Sequence, residues 1–473
     1  ESTKPVKQIG AELGVDHILE GSTFQDEHNV RVTVQLINTE TEDHIWSESY
    51  DCEFNDIFKV QSQIARSIAN ELQSKITADE KIRLDRIPTL DKEAYDLYQK
   101  GQYYLVNYLQ KRQDKDFYTS KSFYTQALEI DSTFAAAYAR LADLYWNRNY
   151  RIEYYSDSFM DTFLLLTKKA LTFNPQSSDA HRLLGQYLFE TGKPDQGITE
   201  IETAISLNTN NATAYELLGF YSNWIGQWET GIPCLMKSIE LDPFSMFTAI
   251  RYCLIARAYL DLLDFDNIYF YCGRAIEMGQ GNPAALGFAY WIYAHTHLVQ
   301  GNREETLKYA DSLSEYNEIS ALQIKAEVYC HLFQDCEKGI DIYRELRRIN
   351  PDHFDYKHRF AYALWETGEY DSAKLMFDVQ IEESKKELEL GRVERNDPHN
   401  NLAGIYTFLG DYERAIEHLK KHQFTSGLEI YAEIDPLYRD LYDNLEFKKI
   451  IQNAKDEKAM LRDKIKSPDA EDL

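Results

Sequence analysis

HRLLGQYLFETGKPDQGITEIETAISLNTNNA (residues 181–212) and YELLGFYSNWIGQWETGIPCLMKSIELDPFSM (residues 215–246) align at a constant offset of 34 residues. Glycine recurs in both at three places, 185 and 219, 192 and 226, and 197 and 231, while Ala204 aligns with Ser238 and Thr209 with Pro243. A fixed period in which small residues and turn residues recur together indicates an array of repeated helical units.

The small residues have positions that suit a pair of antiparallel helices. Gly185, Gly197 and Ala204 would let the two helices of one unit approach closely. Gly192 and Gly226 fall where the first helix must end, and a left-handed residue there costs least when it is glycine. One such pair cannot bury its apolar stripe alone, so the units are expected to stack.

Weaker copies extend the register on both sides, from AYDLYQKGQYY (94–104) to NLAGIYTFLGDYERAIEHL (401–419), which makes roughly nine units. The pattern resembles the tetratricopeptide repeat, and the resemblance implies a mainly α fold, a solenoid of helix hairpins. We expect the array to span residues 79–422. A helical cap and a disordered tail are expected over residues 423–473.

Residues 1–78 have a different period. Val30, Val32, Val34 and Leu36 alternate with polar residues, as in a half-buried strand, and short polar turns separate HILEGSTFQ, VRVTVQLIN and HIWSESYDC. This predicts a three-stranded antiparallel sheet between two helices. The segments KQIGAELGVDHILEGS, VRVTVQLINTETEDHIWSESYD and DIFKVQSQIARSIANEL resemble the TolB/FlgO-like amino-terminal domain, truncated at its start.

That resemblance implies a setting in a longer protein. In bacterial signalling proteins such a domain often precedes tetratricopeptide repeats, and the part before it is an adenylate or guanylate cyclase, a CadC-like winged-helix regulator or a protein kinase. The chain is therefore expected to be the regulatory region of such a protein.

The composition of the chain restricts the classes of partner that it could bind. The chain has 473 residues and a formal net charge of −27, which argues against nucleic acid, because phosphate binding needs a basic surface. No apolar run is long enough to span a membrane. The six cysteines show no zinc-like spacing, and Cys330 and Cys336 are expected to be two core thiols. Free thiols favour the cytoplasm; a membrane span upstream would place the chain in the periplasm instead.

The candidate catalytic residues do not form a site. Asp16 and Ser22 flank a strand and lack a GxSxG elbow, so we interpret them as structural. His418 and His422 lie one helical turn apart without a third ligand, which favours a solvated helix face over a metal site. We expect no catalytic activity in this chain, no cofactor and no metal.

The expected binding site is the groove lined by the first helix of each unit, because in tetratricopeptide proteins those helices bind extended peptides or partner helices. Trp, Tyr and Arg commonly anchor interfaces, although about half of these residues are expected to serve in packing. Carried over unit by unit, the groove positions are Trp146, Arg182, Glu216, Phe220, Asn223, Trp224, Arg257, Trp291, His295, His331, His358, Tyr362 and Trp365.

These features predict a non-catalytic interaction and regulatory module that binds a protein or peptide and that could also self-associate. The Arg and His residues among the groove positions favour an acidic ligand. Two alternatives remain open at this point: a small-molecule sensor, and an enzyme with its site in the groove.

Overall fold

We describe a computed structural model of the chain over residues 4–25, 29–53, 57–74, 76–84, 86–149, 157–350, 357–390, 398–421, 432–433 and 435–465. Contacts divide the chain into two compact units, residues 1–175 and residues 176–473. Each unit is described by itself.

The first unit begins with the predicted antiparallel sheet. Strand β1 (His17–Gln25) pairs with β2 (Asn29–Asn38), which pairs with β3 (His44–Glu53), in the order β1-β2-β3. Along β2 the side chains of Val34 and Leu36 are buried, as the alternation predicted. The LGVDHILEGS stretch therefore forms the first strand of a meander, and Ser22 lies exposed on that strand opposite Thr33.

Helices flank this sheet and then form two hairpins. The helices of the first unit are α1 (Val6–Leu13), α2 (Ile57–Glu71), α3 (Ala78–Leu84), α4 (Lys92–Lys111), α5 (Asp114–Ile130), α6 (Ala135–Asn149) and α7 (Asp157–Phe173). Helices α4 and α5 form one hairpin, and α6 and α7 form the next.

The second unit continues with seven further hairpins, which brings the described residues to the nine units that the register predicted. Their first and second helices are α8 (Ser178–Glu190) with α9 (Pro194–Leu207), α10 (Ala212–Trp224) with α11 (Trp228–Leu241), α12 (Thr248–Leu262) with α13 (Phe265–Met278), α14 (Pro283–Val299) with α15 (Arg303–Ser314), α16 (Glu318–Glu327) with α17 (Cys336–Ile349), α18 (Lys357–Glu366) with α19 (Tyr370–Leu390), and α20 (Pro398–Phe408) with α21 (Tyr412–Lys421). The prediction of a helical-hairpin solenoid with a small antiparallel sheet is confirmed.

The glycines have the two roles that the repeat predicted, close packing of helices and helix ends. A Cβ atom on Gly185 would lie 2.7 Å from the carbonyl oxygen of Gly197, so only hydrogen fits between these backbones. Gly192 and Gly226 end their first helices with φ of 77° and 80°, in the left-handed region. Leu263 takes the same position in the next hairpin with φ of 58°, where no glycine marks the turn.

The chain after α21 returns to an earlier part of the second unit. A 3₁₀ turn (Pro436–Leu441) packs against α20, and α22 (Leu445–Lys464) contacts α21, α11 and α12. A helix of 20 residues is about 30 Å long, so α22 connects the last hairpin to one four hairpins earlier. The sequence predicted a helical cap but not this return.

One cysteine prediction is wrong. Cys330 and Cys336 form a disulfide rather than two separate thiols. A π-helical turn (Val328–Leu332) follows α16, and the chain then turns so that the two Cα atoms lie 4.1 Å apart. Gly339 on α17 leaves room for Cys330, because a Cβ atom at residue 339 would lie 2.7 Å from the Cβ atom of Cys330. Cys253 and Cys272 are buried free thiols, as expected.

Candidate functional site

In the second unit, neighbouring first helices contact one another, as α12 does with α14, and together they form what we call the first-helix face. On this face Arg257 of α12 lies over the indole ring of Trp291 on α14, with 5.0 Å between the guanidinium carbon and the ring centroid. The imidazole of His295 packs on the same indole, with 3.9 Å between the ring centroids and 31° between the ring planes. Asp261 pairs with Arg257 at 3.3 Å and holds the guanidinium in place. Three predicted groove residues therefore form one contiguous surface.

A second arginine continues this surface on α18. Arg359 donates a hydrogen bond from Nη1 to Nδ1 of His331 (2.9 Å) and lies 3.8 Å from a carboxylate oxygen of Glu327. Its Nη2 pairs at 3.0 Å with Asp435, which precedes the 3₁₀ turn. The positive charges of both Arg257 and Arg359 lower the pKa of His295, so both arginines lie near that imidazole. We call Arg257, Trp291, His295, His331 and Arg359 the groove cluster.

Burial keeps the histidines of this face uncharged at neutral pH. Burial, together with the positive charges of Arg257 and Arg359, lowers the pKa of His295 to about 4. Burial likewise holds the pKa of His331 well below its ordinary value. Because Arg359 donates to Nδ1, the neutral His331 carries its proton on Nε2. That nitrogen is buried and has no hydrogen-bond partner among the described residues. The positive charge of the cluster therefore resides on its two arginines.

Three further predicted positions lie at α18. His358 is buried with its Nδ1 3.5 Å from the side-chain oxygen of Gln380 on α19, and burial lowers its pKa to about 3. Tyr362 is buried, its ring against His331 and its hydroxyl beside Arg439 of the 3₁₀ turn. Trp365 is 38% exposed and contacts Phe408 edge to face. Tyr362 therefore contacts the groove cluster through the ring of His331.

The predicted positions on α10 are divided between packing and surface. Glu216 accepts a hydrogen bond at 2.8 Å from the fully buried Arg251. Asn223 is buried against α11, where a Cβ atom on Gly231 would clash with its amide. Trp224 is 37% exposed and contacts the ring of Phe220 at 5.6 Å.

The two remaining positions are buried. Arg182 of α8 is only 4% exposed. Trp146 of the first unit packs between the rings of Phe159 and Phe163, at 5.6 and 5.0 Å. These side chains have little surface to offer a partner, in agreement with the expectation that part of the groove list serves in packing.

Sequence reasoning missed Arg359 and Asp435. Arg359 lies next to the predicted position 358 on α18. Asp435 lies in the tail, outside the repeat register, so no repeat pattern could indicate it. The DP dipeptide at 435–436, which begins the 3₁₀ turn, was the available signal.

No group of three or more metal-ligating side chains occurs within the described ranges. His418 was expected on a solvated helix face, and this is wrong. It is half-buried, and its Nδ1 lies 2.8 Å from Nδ1 of His399 on α20, so one imidazole donates to the other. His422 lies outside the described residues. No helix in the described part of the chain is long and apolar enough to span a membrane.

This architecture is that of a helical-repeat protein, a class whose hairpins generally carry no catalytic groups. Residues 397–421, which include α20 and α21, match the tetratricopeptide repeat family. That hairpin is therefore a tetratricopeptide repeat, as the 34-residue period indicated, and proteins built from such repeats bind protein partners.

The chain is also similar to a protein of Rhizobium meliloti (strain 1021) named "Putative adenylate cyclase 3", with 34% identity over 140 residues. The match covers 30% of this chain and 23% of that protein, so the chain spans about a quarter of the relative's length. The resemblance of residues 1–78 to the TolB/FlgO-like domain stays a prediction.

Two solved structures are similar in fold. PilF of Pseudomonas aeruginosa is 16% identical, with a TM-score of 0.37, over 48% of this chain and 96% of its own. A tetratricopeptide repeat protein from Parabacteroides merdae ATCC 43184 is 10% identical, with a TM-score of 0.42, over 58% of this chain and all of its own (100%).

Proposed function

We propose that this chain is the non-catalytic interaction region of a bacterial signalling protein, and that its first-helix face binds an acidic segment of a protein partner. The observation that carries the proposal is the groove cluster. It sets two arginines, an indole and two neutral imidazoles side by side on the first helices of consecutive hairpins. Arginine and tryptophan are the residue types that most often dominate binding energy at interfaces.

Within the cluster, the partly exposed Arg257 favours a carboxylate ligand. Arg257 keeps part of its surface, since its side chain is 31% exposed, and its charge is delocalised over a planar group that matches a carboxylate. The net charge of −27 makes the rest of the surface unfavourable to acidic segments. An acidic ligand would therefore be directed to the few places where arginine is accessible.

The same proposal includes coupling to an effector domain. The similarity to the Rhizobium meliloti protein supports a cyclase in the same polypeptide, because the matched stretch is only 23% of that protein. A cyclase or kinase uses nucleoside triphosphates of the cytoplasm, which would place this chain there. The Cys330–Cys336 disulfide is instead typical of oxidising compartments and favours the CadC-like arrangement. Alkylation of thiols in freshly lysed cells, followed by peptide mass analysis, distinguishes the two placements.

The binding site is tested by selecting peptides from a random displayed library on the full chain. We expect enrichment of Asp and Glu, and at least a tenfold loss of affinity in Arg257→Gln. The matched control is Arg274→Gln. Arg274 also lies over a ring, that of Tyr252, and pairs with an acidic residue, but it lies on the second helix α13.

Selected peptides that lack acidic residues, or that bind Arg257→Gln as tightly as the unmodified chain, would contradict the proposal. Far-ultraviolet circular dichroism of each variant excludes loss of folding as the cause. Trp224→Ala extends the test to α10, where the exposed indole has little packing to lose.

A further inference from the structure

The carboxylate site at Arg359 already holds a carboxylate, and it comes from the chain itself. The Oδ2 atom of Asp435 lies 3.0 Å from Nη2 of Arg359, and the Asp435 side chain is only 6% exposed. Its other oxygen accepts the backbone N–H of Leu437 at 3.0 Å, which begins the 3₁₀ turn. One aspartate therefore both starts the turn and neutralises the arginine.

The rest of the 3₁₀ turn lies on the same face. Arg439 lies beside the hydroxyl of Tyr362, and the hydroxyl of Tyr438 donates to the backbone oxygen of Asn400 on α20 at 3.0 Å. We call residues 435–442 the C-terminal turn. Its two tyrosines, two leucines and one buried carboxylate reproduce the chemistry of an acidic peptide seated in a groove.

Helix α22 then holds the C-terminal turn in place from the other side. Leu461 and Ile465 pack against the apolar cluster of α11, α12 and α13, and Arg462 donates to the carbonyl oxygen of Leu263 at 3.4 Å. Lys464 reaches Glu229 at 3.8 Å. These contacts at its C-terminal end are few and mostly at the surface, whereas Phe447 and Ile451 nearer its start are buried in the same apolar core as Leu437.

We infer that the C-terminal turn is an internal ligand, and that an acidic segment of a partner binds at Arg359 by replacing the Asp435 carboxylate. This rests on the proposed function, and it adds the position of the bound carboxylate and the segment that must leave. The cluster can receive such a replacement, because Arg359 and the Nε2–H of His331 are both donors and that Nε2 lacks a partner among the described residues. A tethered ligand competes at an effective concentration on the order of millimolar. A partner therefore meets a site that is closed until the turn is displaced.

The experiment uses Asp435→Asn in the full chain. Asparagine keeps the side-chain oxygen that accepts the Leu437 N–H but loses the charge that pairs with Arg359. Asp440→Asn is the matched control, since Asp440 lies on the same 3₁₀ turn and its side chain is exposed. The probe is a fluorescent synthetic peptide of residues 432–444, and the readouts are its anisotropy and the hydrogen exchange of residues 436–464.

In Asp435→Asn we expect faster exchange over residues 436–464 and at least tenfold tighter binding of the peptide than in the unmodified chain. Asp440→Asn should match the unmodified chain in both readouts. Adding Arg359→Gln to Asp435→Asn should abolish peptide binding, which assigns that binding to the arginine.

Two results would overturn the inference. If exchange and peptide binding in Asp435→Asn equal those of the unmodified chain, the C-terminal turn is a permanent cap. If exchange rises but the peptide does not bind, Arg359 does not accept a carboxylate from outside. Neither result affects the library selection at Arg257, so failure here is distinguishable from failure of the proposed function.

Discussion

Glu216 is a predicted groove residue whose contacts point to a structural role. It therefore tests most directly which residues of the first-helix face serve in packing and which could bind a partner. Its carboxylate lies 2.8 Å from Nε of Arg251, a side chain that is only 2% exposed. The guanidinium also donates from Nη1 to the carbonyl oxygens of Ser238 (3.3 Å) and Asp242 (3.1 Å). Removing Glu216 would leave a buried positive charge with two carbonyls and one distant carboxylate, Asp242 at 3.9 Å.

Breaking a buried ion pair from one side costs about 3–5 kcal/mol. Glu216 is 25% exposed and Asp242 stays nearby, so we expect Glu216→Ala to cost roughly 2–3 kcal/mol. Glu216→Gln keeps an oxygen for the Arg251 N–H and should cost about 1 kcal/mol. The matched control is Glu240→Ala, which removes an exposed carboxylate paired with Lys237 and should change stability by less than about 0.5 kcal/mol.

Hydrogen exchange of the α10–α13 peptides is the suitable assay, because repeat arrays open locally and need not unfold in one step. The expected cost corresponds to roughly 30- to 150-fold faster exchange in Glu216→Ala. The reasoning would be refuted if exchange in Glu216→Ala changed no more than in Glu240→Ala while binding of the selected peptides was lost. Glu216 would then contact the ligand, and Arg251 would be satisfied without it.

Two further predictions concern packing and pH. Gly219→Ala should destabilise the chain by about 2–3 kcal/mol, since the new Cβ would lie 2.7 Å from the carbonyl oxygen of Gly231. The control Gly273→Ala, whose new Cβ would meet no atom within 4 Å, should raise the thermal midpoint slightly. Equal changes in the thermal midpoints of the two variants would contradict the packing argument. Burial lowers the pKa of His358 to about 3, so the folded state binds fewer protons than the unfolded state between about pH 6.5 and pH 3, and its stability falls as pH falls through that window. Between pH 7 and pH 5, His358→Gln should therefore lose about 2 kcal/mol less stability than the unmodified chain. Urea titrations at both pH values measure this loss, and His44→Gln, at an exposed histidine, is the control. If His358→Gln loses as much stability between the two pH values as His44→Gln does, the prediction is refuted.

Much of the fold followed from local signals. The glycine at 192 predicted a helix end because the left-handed region is cheap only without a Cβ atom. The alternation from Val30 to Leu36 predicted β2 because successive strand residues point to opposite faces. The end of α12 was harder to predict, because Leu263 there takes the left-handed conformation that glycine takes at residues 192 and 226.

The candidate site was predicted only in part. Arg257, Trp291, His295, His331 and Tyr362 were named from the repeat register, and the structure brings them onto one face. Arg359 was missed although it follows the predicted position 358, since neighbouring residues on a helix point about 100° apart around the axis. The disulfide was missed because six residues of separation do not determine a distance; the π-helical turn at Val328–Leu332 does.

The sequence by itself determined the helical hairpins, their 34-residue period, the three-stranded sheet and the acidic surface, because these depend on residues near one another in the chain. Only the tertiary structure decided that Asp435 pairs with Arg359, 76 residues away in the chain (435 − 359 = 76), and that α22 packs beside Leu263. Such contacts depend on how consecutive hairpins stack on one another. That stacking joins residues far apart in the chain, and no short stretch of sequence carries it.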